Sequence, residues 1–152
     1  MHLVTYLDFQ RAHQITVASS CTVVSEGHPG DADVHWTTAR FARQCREQAD
    51  VLASSSAFLG SPSQAAPERM HVAGLISARS GPAGLLRDLQ ELYQLVSLSD
   101  ITWSLVGQAA RAVRNRELIR VIDDCSAQTT AQLDWLRLSM KTIAPQTLLV
   151  AT

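Results

Sequence analysis

From Leu85 to Val113 the chain repeats one spacing, with Leu85, Leu89, Leu92, Val96, Ser99, Trp103, Val106, Ala110 and Val113 falling alternately three and four residues apart. A stripe of that length along one side of the chain is the seam of a long helix, and it has to be buried against other helices. Three further segments repeat the spacing. In residues 3–26 it reads Leu3, Leu7, Gln10, Gln14, Val17, Cys21 and Val24, apolar at both ends and polar in the middle. Between about 32 and 59 it reads Thr38, Phe41, Ala42, Cys45, Ala49 and Leu52, and between about 116 and 143 it reads Leu118, Ile122, Cys125, Thr129, Gln132, Leu136, Met140 and Ile143. No stretch alternates strictly enough to compete as a half-buried strand, so the expected fold class is all-α.

The punctuation between these segments agrees with four helices. Gly27-His28-Pro29-Gly30 stops the first, and Asp31 or Asp33 can cap the second. Pro82 suits the first turn of the third, expected at 83–113, and Asn115 suits the cap of the fourth. Ala144-Pro145 is expected to end the fourth helix, leaving Leu148-Leu149-Val150 as a short apolar tail. Helices this long, roughly 35 to 45 Å at 1.5 Å per residue, suit a bundle. Short links join the first helix to the second and the third to the fourth. The segment 60–82, with Pro62, Pro67, Pro82, Gly60, Gly74 and Gly81, is long enough to cross the bundle and make helices two and three parallel.

Composition narrows the function classes. At 152 residues the chain is the size of one domain, 1–152. Thirteen Lys and Arg against fourteen Asp and Glu leave no basic excess for a nucleic-acid partner. No run of apolar residues is long enough for a membrane span, and Met1-His2-Leu3-Val4-Thr5-Tyr6 does not read as a signal peptide, so a cytoplasmic location is expected. Cys21, Cys45 and Cys125 lack metal-type spacing and read as buried free thiols.

Two antiparallel hairpins joined by a long crossover resemble the ferritin-like superfamily, and two short motifs add to the likeness. In that family Glu-x-x-His carries metal on helices two and four. The second-helix motif is often followed by Ala and then Leu, as in Cys45-Arg46-Glu47-Gln48-Ala49-Asp50-Val51-Leu52, and the fourth by an aromatic and an aliphatic residue, as in Thr129-Thr130-Ala131-Gln132-Leu133-Asp134-Trp135-Leu136. The resemblance therefore implies a ferritin-like four-helix bundle whose ligand positions are substituted, to Cys45 and Gln48 and to Thr129 and Gln132. The glutamates it implies on helices one and three have no clear match, Gln10 or Gln14 and Ser97 or Asp100 being nearest.

Charge makes this substitution matter. Two iron or manganese ions need several carboxylates to neutralise them and imidazoles to complete their shells, which amides do not supply. None of His2, His13, His28, His35 and His71 lies three residues after a Glu. The expectation is no metal and no cofactor.

The polar residues that remain, Gln14, Cys45, Ser99 and Thr129, fall near the midpoints of their helices. They admit two readings: a small polar pocket for a ligand or one metal ion, drawing on His13, Gln14, Cys45, Gln48, Asp100, Thr129 and Gln132, or a hydrogen-bonded layer that sets helix register. The habit of buried amides to satisfy one another favours the layer. No catalytic residue is assigned, since no His is placed by sequence to activate Cys45.

The third helix is apolar on more than one side, so either Met70–Ile76 or a second subunit is expected to cover it. A homodimer is expected, with Trp36, Trp103, Trp135, Tyr6 and Tyr93 as possible anchors. The function these observations suggest is a dimeric binding or scaffold protein whose partner, a small molecule or a protein, the sequence does not name. The alternative is a metal-dependent oxidoreductase or oxidant-handling enzyme with an atypical site built on His13, Cys45 and Asp100. A helical adaptor with a different helix order is a third possibility.

Overall fold

The protein is described by a computed structural model over residues 2–56 and 72–150. Four helices account for nearly all of it: α1 (His2–Gly27), α2 (Ala32–Ser56), α3 (Gly81–Ala112) and α4 (Arg116–Leu149). Among the described residues there is no strand, and no helix is long and apolar enough to cross a membrane.

The helix ends follow from local chemistry. Asp31 Oδ1 accepts from the Val34 N–H at 3.1 Å, and Asn115 accepts from the Leu118 N–H at 3.0 Å, so each side chain satisfies a donor that the first turn leaves unpaired. α3 opens with Pro82 in its first turn. Its other end is closed by bonds from the Arg114 N–H to the Arg111 carbonyl and from the Asn115 N–H to the Ala110 carbonyl, with Arg114 at φ 57°. That is the left-handed closing turn usually given to glycine.

Hydrogen bonds between helices fix their directions. Gln10 and His13 of α1 reach Ser99 and Leu95 of α3, and His28, just past α1, reaches Asp88, so α1 and α3 run antiparallel. Ser25 with His35, and Thr22 with Arg46, set α1 against α2 in the same sense. Gln48 with Gln128 and Gln132 with Gln44 do so for α2 and α4, and Trp103 with Thr129 and Arg111 with Asp123 for α3 and α4. α2 and α3 therefore run parallel.

Every expected seam position of α1 is buried, as are the positions given for α2 and those of α3 from Leu85 to Ala110. The apolar core is divided into two clusters. One, toward the end where α1 finishes, gathers Val17, Cys21 and Val24 with Phe41, Leu89, Leu92, Val96 and Leu136. The other gathers Leu3 and Leu7 with Leu52, Trp103, Val106, Leu118 and Ile122. Burying each large aliphatic side chain stabilises the fold by about 1.5 to 3 kcal/mol, so both clusters contribute strongly.

Several expectations need correction. α4 does not end at Ala144-Pro145 but continues to Leu149 with Pro145 inside it. A proline near a helix end removes one intrahelical bond, and donors beyond it still reach back, as the Val150 N–H does to the Gln146 carbonyl at 3.0 Å. Leu148, Leu149 and Val150 thus form an exposed final turn rather than a tail. Val113 lies past the end of α3 and is half exposed. Residues 57–59 of the expected second helix, and 60–71 of the crossover, lie outside the described residues.

The described end of the crossover covers α1 rather than the apolar flank of α3. Leu75 is buried with its N–H bonded to Ser20 Oγ at 3.0 Å. The contact depends on two glycines: a Cβ on Gly74 would stand 2.4 Å from Ser20 Oγ, and one on Gly27 would stand 2.1 Å from Ala78 Cβ. Ile101 and Leu105 on α3 remain half exposed.

Candidate functional site

Between the two apolar clusters the seam turns polar on all four helices. Gln10, His13 and Gln14 on α1, Gln48 on α2, Ser99 and Thr102 on α3, and Thr129 and Gln132 on α4 are all buried. Gln10, Gln14, Ser99, Thr129 and Gln132 sit on the three-four seams of their helices, and His13, Gln48 and Thr102 each lie directly beside a seam position, which is why the bundle encloses them.

The layer is bonded in two halves. Across α1 and α3, Gln10 Nε2 donates to the Ser99 carbonyl at 3.1 Å and Gln14 Nε2 to Ser99 Oγ at 3.0 Å. His13 Nε2 lies 2.7 Å from the Leu95 carbonyl, which makes that nitrogen the protonated one. Across α2 and α4, Gln48 Nε2 donates to Gln128 Oε1 at 2.8 Å, and Gln132 Nε2 to Gln44 Oε1 at 3.0 Å, with Cys45 Sγ at 3.8 Å as a weaker acceptor. The Trp103 indole N–H donates to Thr129 Oγ1 at 3.1 Å and ties α3 to α4, while that hydroxyl donates to the Cys125 carbonyl at 3.0 Å. Gln10 Oε1 and Gln48 Oε1 are buried without a partner among the described residues, at a cost of about 1 to 3 kcal/mol each for a lost solvation shell.

Of the seven residues selected from sequence, the structure brings His13, Gln14, Cys45, Gln48, Thr129 and Gln132 into this layer. Asp100 does not join them. It follows Ser99, and one residue along a helix turns the side chain about 100° away from the seam. Asp100 is partly exposed, and its carbonyl accepts from Ser104. Gln44 and Gln128 were missed because they lie just beside the stripe, at half-buried positions from which a long amide can reach inward.

The electrostatics argue against nucleophilic or acid-base chemistry in the layer. Burial lowers the pKa of His13 below its ordinary value, with the Leu95 carbonyl opposing in part, so the ring is neutral near pH 7. Burial pushes the Cys45 thiol up to about 12 despite the Gln132 amide and Arg46, and Cys125 also to about 12. Cys21 is raised well above the usual thiol range by the same cause. All three cysteines are free, and none is a thiolate at neutral pH. Among the described residues no three His, Cys, Asp or Glu side chains converge as metal ligands would.

A second polar cluster, absent from the sequence reading, lies at the end of the bundle where α1 finishes and α3 begins. Asp88, with 0% of its surface exposed, accepts from the Arg79 backbone N–H at 3.0 Å and from Arg79 Nη1 at 2.7 Å, and pairs with His28 Nε2 at 2.7 Å. Arg79 also pairs with Glu91. The cluster joins the α1–α2 turn, the crossover and α3. Its members come from three separate segments, so no sequence spacing could announce it.

Compared with protein-family models, with curated proteins and with solved structures, the chain matches none.

Proposed function

We propose that the chain is a bundle of ferritin-like connectivity that carries no di-metal centre and works as a dimeric binding or scaffold protein. The observation that carries this reading is the middle layer. Where a di-metal bundle requires converging carboxylates and imidazoles, these four helices present carboxamides, hydroxyls and a protonated thiol bonded largely to one another, with one imidazole, His13, already bonded to a backbone carbonyl. The parallel run of α2 and α3 adds support for the connectivity.

Exposed apolar residues support the dimer. Trp36 is 69% exposed, and Leu138, Leu148 and Leu149 of α4 are exposed further still or nearly as much. With Cys45 beside Gln132 and α2 antiparallel to α4, Trp36 stands at the level of Lys141, so these residues share one end of the bundle. Trp103 is not available for such a contact, being buried in the core, and Trp135 is half buried edge-on to Phe41.

The enzyme alternative draws less support. His13 is committed to a backbone carbonyl, Cys45 is held as a thiol, and Asp100 is outside the layer. Elemental mass spectrometry on untagged protein, with light scattering for mass, tests the proposal. Less than about a tenth of an equivalent of iron, manganese or zinc, together with a dimer mass, is the expected result. One or two equivalents of metal would move the enzyme reading to first place, and a monomer would remove the dimer.

A further inference from the structure

At the end of the bundle that carries the Asp88 cluster, the α1–α2 turn, the start of α3 and the last turns of α4 line a cavity of about 810 Å³ that opens broadly to solvent. That volume lies within the range of small-molecule sites. Pro82, Leu85 and Ile143 supply apolar wall, and His28, Gln146 and Thr147 supply polar groups.

Two of those polar groups are mostly buried yet uncommitted. His28 is 9% exposed, and its ring gives Nε2 to Asp88, which leaves Nδ1 with no partner among the described residues. Thr147 is 7% exposed, and its hydroxyl is not hydrogen-bonded to any described residue. Many serine and threonine hydroxyls on these helices bond back to a carbonyl one turn earlier, as Thr142 does to Leu138, whereas those of Thr5 and Thr147 do not. Neither His28 Nδ1 nor Thr147 Oγ1 is sealed from solvent, so a ligand in the cleft can take the place of water on both.

Charge selects the ligand class. The lining contains neither Lys nor Arg, and the nearby Arg79 guanidinium is already committed to Asp88 and Glu91, so a carboxylate or phosphate would find no free cation. The one carboxylate in the lining, Asp31, is engaged as the cap of α2. A hydroxyl suits what remains, because it donates to a neutral imidazole nitrogen or accepts from a protonated one, and it pairs with a threonine in either sense. We infer that this cavity binds a small neutral amphiphile of the phenol or alcohol class, its hydroxyl on His28 Nδ1 and Thr147 Oγ1 and its apolar body against Leu85, Ile143 and Pro82.

Leu85 precedes Ser99 by fourteen residues on α3, roughly 20 Å along the helix at 1.5 Å per residue. The site therefore stands or falls independently of the middle layer. Titration of the full chain with p-cresol, followed by amide NMR, is the test. Saturable shifts at Gly30, Leu85 and Thr147 are expected, with toluene about tenfold weaker for want of the hydroxyl and p-toluate no tighter than toluene. Thr147→Val, which preserves shape and leaves the Asp88 cluster intact, should weaken p-cresol several-fold and leave toluene unchanged. Ile143→Trp should block both by filling the cavity. Absence of saturable p-cresol shifts, equal binding of toluene, tighter binding of p-toluate, or p-cresol affinity unchanged by Thr147→Val would each overturn the inference.

Discussion

The middle layer and the Asp88 cluster are both buried and polar, yet they stabilise the bundle in opposite ways. The middle layer is made of neutral groups, and several of its partners, Gln44 and Gln128 among them, are close enough to solvent to accept water instead. The Asp88 cluster holds a fully buried carboxylate whose side-chain partners among the described residues are His28 and Arg79. A neutral amide can be replaced by a hydrophobic side chain of similar size at little cost, whereas removing one member of a charged set leaves the others unpaired in a poor solvent for charge. The bundle is therefore expected to tolerate change at its middle and to resist it at its end.

The largest effect is expected at the charged end. Asp88→Ala should lower the unfolding free energy by about 3 kcal/mol, near the bottom of the range for broken buried pairs because solvent screens the half-exposed Arg79. Chemical denaturation checks this, and a loss below about 1 kcal/mol would erase the contrast between the two regions. A smaller effect belongs to His13. Its folded pKa lies below the unfolded value of about 6.5, so the unfolded chain binds more protons as the pH falls. Its contribution is therefore complete above that pH and declines as the pH drops toward the folded value. Stability measured against pH should fall less steeply below about 6.5 in His13→Gln than in the wild type, and identical slopes would place the titration elsewhere.

The smallest change is expected at Gln132. Gln132→Leu removes a buried amide and leaves Gln44 able to turn to water, so stability should stay within about 1 kcal/mol of the wild type or rise. A loss above about 2 kcal/mol would show that the layer depends on that hydrogen bond as the charged end depends on Asp88.

The same contrast explains what the sequence revealed. The seam of α1 was legible because burial follows the three-four spacing whatever the chemistry of the residue, so spacing alone places Gln10 and Gln14 beside Leu7 and Val17. Asp100 was misplaced because proximity in sequence to Ser99 does not bring it onto the seam. His28, Arg79 and Asp88 were invisible because two of them lie outside the regular helices and nothing periodic connects them. The extension of α4 past Pro145 was missed for a different reason: a proline weighs less against a helix when little of the helix remains to be built beyond it.

The central claim is that the middle of the bundle is a neutral layer of amides rather than a metal site. The most direct test is to titrate the protein with Mn(II) while observing the glutamine side-chain amide signals by NMR. The account predicts that those of Gln14, Gln48 and Gln132 remain sharp through at least one equivalent of metal. Selective broadening of those signals at stoichiometric Mn(II) would place an ion among the four helices and contradict it.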